Sequence, residues 1–224
     1  MNINPDWTTM YSKDPYSRER IIRAVSLIRD KILPGDVVID LGAFQQFVKG
    51  LLPSSSTYIP FDSYPYKDNR IVDFDSPIQF PQAKYALCLE TLEHLKNPRN
   101  LLDSASKCLC RDGFLVVSLP NEATIFHRLR SLLGVPDMEC FSYPGKHLHL
   151  PSLKQCRKFL STYFQIVGEE YYISPTAVGS RSKILGSILS LIPDGAHYWL
   201  ASICPSLFAR GFIFLCKHKS STSQ

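Results

Sequence analysis

The chain has 224 residues, of which 45% are hydrophobic and 20% are charged, and its formal net charge is +5. This composition is typical of one globular domain with a sizeable core, and it excludes a disordered or collagen-like chain. The basic residues are scattered along the sequence rather than gathered in a stripe, so no nucleic-acid partner is expected.

The cysteines and the first residues of the chain indicate the cellular compartment of the protein. There are seven cysteines, and none of them forms a CxxC pair, which argues against a zinc ribbon or a thioredoxin motif. The first twenty residues contain no apolar stretch of the kind that a secretory signal needs. A reducing, cytoplasmic location is therefore predicted.

The predicted elements begin with an amphipathic helix over residues 17–33, with Ser17 as its N-cap and Ile21, Val25 and Ile28 on one face. Apolar runs rich in β-branched residues then alternate with helical patterns. Strands are predicted at 36–42, 57–62, 70–74, 85–90, 113–121, 164–173 and 209–218. Helices are predicted at 43–52, 97–109, 124–133, 151–163 and 182–192.

This alternation predicts an α/β fold, a Rossmann-like doubly wound sheet with helices on both faces. The sheet is expected to be mostly parallel with an antiparallel last strand. An N-terminal helical segment spans 1–35, the α/β domain spans 36–219 with a helical insertion at about 176–208, and residues 220–224 form a disordered tail. In such sheets ligands bind beyond the carboxyl ends of the strands.

Asp62 is the first candidate for ligand binding. It ends the second predicted strand, 22 residues after Asp40 ends the first. A carboxylate at that position can hold two ribose hydroxyls of a nucleotide cofactor. The alternative is that Asp62 only begins a turn in the segment FDSYP. The residue by itself leaves both interpretations open.

Five segments in order resemble the class I S-adenosylmethionine-dependent methyltransferases, and the branch acting on small molecules in particular. The segments are VIDLG, YIPFDSYP, VDFDSPIQF, YALCLETLEHL and GFLVVSLPN, and the resemblance covers roughly residues 20–170. It implies methyl transfer from S-adenosylmethionine to a small acceptor. No tetrapeptide for the exocyclic amines of bases follows the fourth strand, which argues against adenine-N6 methylation and supports a small-molecule acceptor. The expected acceptor is a hydroxyl of a sugar, lipid-linked or quinone-like compound.

The resemblance also implies roles for individual residues. Asp62 would hold the ribose, Asp73 (or Asp75 in an alternative register) the adenine amino group, and Phe74 would lie beside the adenine ring. The expected cofactor-binding residues are Asp40, Gly42, Asp62, Asp73, Phe74, Glu90 and Thr91. The expected substrate-binding residues are His94 and Asn121.

One turn departs from the family pattern, at two positions. The turn after the first strand usually carries three alternating glycines, but here Phe44 and Gln46 follow Gly42, in a chain with only 11 glycines and 16 prolines. Glycine serves such turns because it adopts positive φ and lets the backbone approach a ligand. A non-catalytic binding or scaffold protein is therefore the alternative function. A nucleotide-dependent oxidoreductase is a weaker third interpretation, because it needs glycine in the same turn.

Two further segments are candidates for function. His147 and His149 are predicted as catalytic residues, one of them a general base, with a plain surface loop as the alternative. Residue types alone would also allow a metal site with Asp137, but nothing else supports one, so no metal is predicted. The apolar stretch 182–208 either packs over the sheet or contacts a membrane or lipid-linked substrate peripherally.

Overall fold

The computed structural model describes residues 15–134, 147–173 and 194–219. Asp137, the predicted helix 182–192 and the predicted tail 220–224 lie outside the described residues. So do the first fourteen residues of the N-terminal segment.

The described chain forms one seven-stranded sheet, as predicted. Its strands are β1 (Val37–Leu41), β2 (Thr57–Asp62), β3 (Arg70–Ile71), β4 (Ala83–Leu89), β5 (Leu109–Pro120), β6 (Phe164–Tyr172) and β7 (Gly211–His218). Their order across the sheet is β3-β2-β1-β4-β5-β7-β6. The first five pair in parallel, whereas β7 pairs antiparallel with both β5 and β6. The predicted fold class, including the antiparallel last strand, is confirmed.

Helices cover both faces of this sheet. They are α1 (Pro15–Arg29), α2 (Pro98–Cys108), α3 (Ile125–Leu132), α4 (Leu153–Tyr163), α5 (Asp194–Ile203) and α6 (Pro205–Phe208). Side chains alternate across a strand, so β4 directs Tyr85 and Leu87 towards α1 and Ala86 and Cys88 towards α2 and α4. The two apolar layers make a core that holds the carboxyl ends of β1, β2, β4 and β5 along one edge.

Two predicted helices differ from the structure. The first begins at Pro15, so Ser17 lies inside its first turn and is not its N-cap. The predicted helix 43–52 is wrong: a non-helical turn is followed by one short 3-10 turn, Lys49–Leu51. Phe44 (φ +42°) and Gln46 (φ +58°) have left-handed backbone, which a right-handed helix excludes.

Helix α5 belongs to the apolar stretch whose packing the sequence left open. His197 and Ala201 are buried, while Trp199 and Ile203, on the opposite face, are both 62% exposed. The described part of this stretch therefore packs through one face only. Among the described residues no helix is long and apolar enough to cross a membrane.

Candidate cofactor and acceptor site

Gly42 and Thr91 join the ends of β1 and β4. Gly42 has φ +92°, and a Cβ added to it would overlap the Thr91 hydroxyl. That hydroxyl donates a hydrogen bond to the Leu41 carbonyl (2.9 Å) and is buried. Gly42 is therefore required both by its backbone conformation and by the close approach of Thr91.

The loop after Gly42 keeps a glycine-like backbone without the glycines. Phe44 and Gln46, at the positions where the family has glycine, both adopt the positive φ that glycine tolerates best. The Gln46 amide donates to side-chain oxygens of Asp68 (2.6 Å) and Asn69 (2.9 Å), and the Asn69 amide donates to the Phe44 carbonyl (2.9 Å). These contacts offset the strain and hold the loop against the segment after β2.

Asp62 lies at the end of β2, beside this loop. Its carboxylate accepts hydrogen bonds from the backbone N–H groups of Phe44 (2.7 Å) and Tyr64 (2.8 Å). Burial raises the pKa of Asp62, and the backbone donors oppose that shift. A carboxylate has about four lone-pair sites, so two such bonds leave acceptor capacity for hydroxyls of a ligand.

Asp40 is a buried carboxyl one strand away from Asp62. It is 2% exposed and accepts a hydrogen bond from the Tyr58 hydroxyl (2.7 Å). Burial is the main cause that raises the pKa of Asp40 to about 7; the Tyr58 hydrogen bond lowers it and the charge of Asp62 raises it further. The Asp40 carboxyl group therefore forms its hydrogen bond inside the protein and does not face the open edge of the sheet.

The structure separates the two residues predicted to contact adenine. Asp73 is exposed, and its carboxylate accepts from the Asp75 backbone (3.1 Å) and the Ser76 hydroxyl (2.7 Å). Phe74 is 2% exposed and packs in the core. Because the Phe74 ring is covered by protein, it has no free face for an adenine ring. Of the two residues, only Asp73 lies at the surface.

Glu90, at the end of β4, is used within the protein. It has left-handed backbone (φ +50°), forms an ion pair with Arg20 of α1 and accepts a hydrogen bond from the Tyr172 hydroxyl (2.6 Å). Arg20 is only 3% exposed. Three elements that are distant in sequence thus meet at Glu90, one of the expected cofactor-binding residues. Arg20 and Tyr172 were not among the predicted site residues.

Asn121 follows β5 and has a different environment from the one predicted. It is 1% exposed, and its amide donates to the carbonyl of Ala209 (2.8 Å) and, at 3.2–3.3 Å, to those of Pro205 and Ser206. Its side-chain oxygen accepts from Ala123 (3.1 Å). Asn121 therefore connects the α6 segment to the sheet. Both polar atoms of its side chain form hydrogen bonds within the protein and do not face a substrate.

A group of imidazoles and carboxylates lies beyond β4 and β5. The Glu122 carboxylate contacts Nδ1 of His147 (3.1 Å) and Nε2 of His127 (3.2 Å). These two histidines, His127 first, hold the pKa of Glu122 well below its usual range. The rings of His94 and His147 meet edge to face at 4.9 Å. The structure thus brings together His94 and His147, two of the predicted site residues.

Glu93 is the most unusual member of this neighbourhood. Its side chain is fully buried, and within the described part of the chain neither carboxylate oxygen has a hydrogen-bond partner. Burial, and next the charge of Glu90, raise the pKa of Glu93 well above its usual range. Sequence reasoning missed Glu93 and Glu122, although both directly follow strand ends at the ligand-binding edge.

His149 lines a cleft next to this group. Its Nε2 lies 2.8 Å from the Leu95 carbonyl, and only a protonated nitrogen can bond a carbonyl, so Nε2 is the donor. The cleft has a volume of about 510 Å³, and most of its lining is apolar, including Leu92, Leu119, Leu148 and Phe159. It opens beside Glu93 and not beside Gly42, so a molecule in it would lie on the acceptor side.

Several solved structures with a similar fold are methyltransferases. The N-methyltransferase NodS from Bradyrhizobium japonicum, solved with S-adenosylhomocysteine, is 12% identical with a TM-score of 0.60, over 97% of this chain and 94% of that one. A SAM-dependent methyltransferase from Archaeoglobus fulgidus is 13% identical with a TM-score of 0.62, over 96% and 100%. Magnesium protoporphyrin IX methyltransferase from Synechocystis, also with S-adenosylhomocysteine, is 13% identical with a TM-score of 0.60, over 98% and 90%. At these identities the likeness shows the fold alone.

The sheet order, the left-handed loop after β1 and the acid at the end of β2 define the class of S-adenosylmethionine-dependent methyltransferases. A family model described as a methyltransferase domain matches residues 14–163, and the chain belongs to that family. A search by sequence among curated proteins found no match. The family assignment makes this chain an enzyme with S-adenosylmethionine as its cofactor, and it selects that interpretation over the scaffold and the oxidoreductase.

The residues at the β1–β2 edge fit this cofactor. Gly42 gives the loop its left-handed start and lets Thr91 pack against the backbone, and the loop through Phe44 and Gln46 preserves the left-handed conformation despite its side chains. Asp62 adds a carboxylate with remaining acceptor capacity. Phe44 and Gln46 therefore add side chains to the loop, but its backbone keeps the conformation that glycines would give it.

Proposed function

We propose that this chain methylates a hydroxyl oxygen of a small acceptor, of the sugar, lipid-linked or quinone-like kind. The observation that carries the proposal is the group of histidines at the β4–β5 edge, whose imidazoles are oriented by protein acceptors next to a mostly apolar cleft. A hydroxyl needs a base to become a good nucleophile, whereas a free amine already has a lone pair. The apolar lining favours an acceptor with a substantial apolar body.

In this proposal the β1–β2 edge binds the cofactor, with Gly42 and the 43–48 loop beneath it and Asp62 on its ribose. S-adenosylmethionine supplies a methyl group on a positively charged sulfur. The cleft would hold the acceptor with its hydroxyl oxygen towards the β1–β2 edge, for displacement of the methyl group from sulfur. Alignment of the two reactants supplies much of the rate enhancement in such a displacement.

His149 is the general base in this proposal. Since its Nε2 donates to Leu95, its Nδ1 carries the lone pair. His149 would receive the hydroxyl proton at Nδ1 as the acceptor oxygen gains the methyl group, which S-adenosylmethionine would supply with departure of its neutral thioether. His147 has the opposite tautomer, because Nδ1 faces the ionised Glu122.

Asp62→Asn tests the cofactor assignment. We expect the affinity for S-adenosylmethionine and S-adenosylhomocysteine, measured by calorimetry, to fall by about 10- to 100-fold, because hydrogen bonds to a charged acceptor are worth roughly 1.5–3 kcal/mol. Asp103→Asn, an exposed carboxylate on α2, is the matched control and should leave both affinities unchanged. Equal affinity of Asp62→Asn and wild type would refute the ribose assignment. Absence of binding by the wild type would refute the proposed function.

His149→Ala tests the base. With acceptors found by screening radiolabelled methyl transfer to sugars and quinols, we expect kcat to fall by about 10²- to 10⁴-fold, the usual contribution of a general base. The affinity for S-adenosylhomocysteine should not change, because His149 lies on the acceptor side. His218→Ala, at the far end of β7, serves as the control. A kcat within twofold of wild type would exclude His149 as the base.

A further inference from the structure

We propose that Glu93, His94 and His147 bind a divalent first-row transition-metal ion. Each of the three offers one ligand atom, and these atoms all lie within 4.8 Å of one another. They come from the short turn Leu92–His94 after β4 and from the loop that leads to α4. The group is distinct from the residues assigned to the cofactor.

The buried Glu93 carboxylate is the observation that calls for a cation. It is fully buried, and neither oxygen is hydrogen-bonded within the described ranges. A buried carboxyl group without a hydrogen-bond partner holds its proton, and a metal ion that binds it displaces that proton and supplies the missing partner. The nearest nitrogen in a described ion pair is Nε2 of His147, 3.9 Å from Oε1, which is too far for a hydrogen bond but close enough to share an ion.

The orientation of His147 is the second observation. Its Nδ1 lies 3.1 Å from Oε1 of Glu122, and because a carboxylate oxygen accepts hydrogen bonds, Nδ1 carries the proton. The lone pair is then on Nε2, the atom that faces Glu93. A carboxylate that holds the remote nitrogen of an imidazole is the usual companion of a metal-binding histidine. Glu122 is itself fixed on its other oxygen by His127 (3.2 Å).

The distances between the ligand atoms and the types of ligand indicate which ions the site would bind. Ligand atoms around one ion lie roughly 3 to 3.5 Å apart, since each is about 2.1 Å from it, so small side-chain movements would close this site. Two imidazoles and one carboxylate suit Mn²⁺, Fe²⁺, Co²⁺ or Zn²⁺ better than Ca²⁺ or Mg²⁺, which prefer oxygen. Three protein ligands leave positions open, and, resting on the proposed function, an acceptor hydroxyl oxygen would fill one and become more acidic.

Titration of the metal-stripped full chain with Mn²⁺ alone tests this site without any methyl acceptor. We expect one Mn²⁺ per chain with micromolar affinity in electron paramagnetic resonance, and nitrogen couplings from two imidazoles in the bound spectrum. Glu93→Gln, which keeps the shape of the side chain, should weaken Mn²⁺ binding by at least 100-fold. Glu122→Gln should weaken it by about 10-fold, because it acts only through His147.

His218→Ala and Glu170→Gln, far from the cluster on β7 and β6, are the matched controls and should bind Mn²⁺ as the wild type does. Thermal unfolding of Glu93→Gln establishes that the variant folds. No saturable Mn²⁺ or Co²⁺ binding below 1 mM, or equal binding by Glu93→Gln and wild type, would overturn the site. Cofactor affinity is a separate measurement, so failure here is distinguishable from failure of the proposed methyl transfer.

Discussion

Gly42→Ala is expected to destabilise the protein by about 3–5 kcal/mol, a large part of the 5–15 kcal/mol that holds a typical domain folded. A non-glycine residue with the left-handed conformation of Gly42 costs roughly 1–2 kcal/mol. The new methyl group would also overlap the Thr91 hydroxyl and force it away from the Leu41 carbonyl, in a buried position. Urea denaturation measures the loss, and cofactor binding should fall with it.

Gly35→Ala separates the two contributions. Gly35 has nearly the same φ (+85° against +92°), but a Cβ there would meet nothing within 4 Å. We expect it to lose only the conformational cost of about 1–2 kcal/mol. Adding Thr91→Ala to Gly42→Ala should restore part of the stability, because it removes the overlapping hydroxyl. Equal losses for Gly35→Ala and Gly42→Ala would contradict the role of Thr91.

Asp40→Asn is expected to flatten the dependence of stability on pH. Asp40 has a pKa of about 7 in the folded protein, against about 3.9 in an unfolded chain. Between these values the folded state holds a proton that the unfolded state has released. The free energy of unfolding therefore falls as pH rises from about 4 to 7, by up to about 4 kcal/mol from this residue. The neutral amide removes that loss and can still accept the Tyr58 hydrogen bond.

Unfolding of both proteins at pH 5 and pH 8 measures this effect. The variant should be the more stable by about 1.5 kcal/mol at pH 5 and by about 4 kcal/mol at pH 8, so the difference between the two proteins should widen as pH rises. Asp103→Asn, on the surface, should follow the wild type at both pH values. A difference that is the same at both pH values would show that Asp40 is ionised throughout. Glu93, whose pKa is also raised, acts in the same direction in both proteins and cancels in the comparison. Asp62 interacts electrostatically with Asp40, so loss of the Asp40 charge also lowers the pKa of Asp62 at high pH and adds to the stability of the variant there.

The strands were predictable because their signal is local. Apolar, β-branched runs such as those of β1 and β5 produce buried parallel strands wherever they occur. The loop 43–48 was not predictable, since its conformation depends on partners 18 to 25 residues away: Asp62 accepts the Phe44 N–H, and Asp68 and Asn69 hold Gln46 and the Phe44 carbonyl. No helical pattern in the sequence contains that information.

The candidate site was predictable to the level of strand ends but not of side chains. Every residue chosen there lies at or near the carboxyl edge of the sheet, yet Asn121 and Phe74 direct their side chains into the protein. Glu93 and Glu122 are the neighbours of residues that were chosen. Which of two adjacent side chains faces a site is decided by the turn that follows the strand, and turns such as Leu92–His94 are fixed by tertiary contacts.

The place of β7 in the sheet has a consequence for the order of assembly. β7 follows every other described strand along the chain, yet it lies between β5 and β6, and β6 has no other neighbour. Residues 173–210 separate β6 from β7 in the sequence, so the pairing of these strands closes a long stretch of chain, and we expect it to be late and slow. Until then the apolar edge of β5 stays open, and it is the edge most able to capture a strand of another chain during refolding.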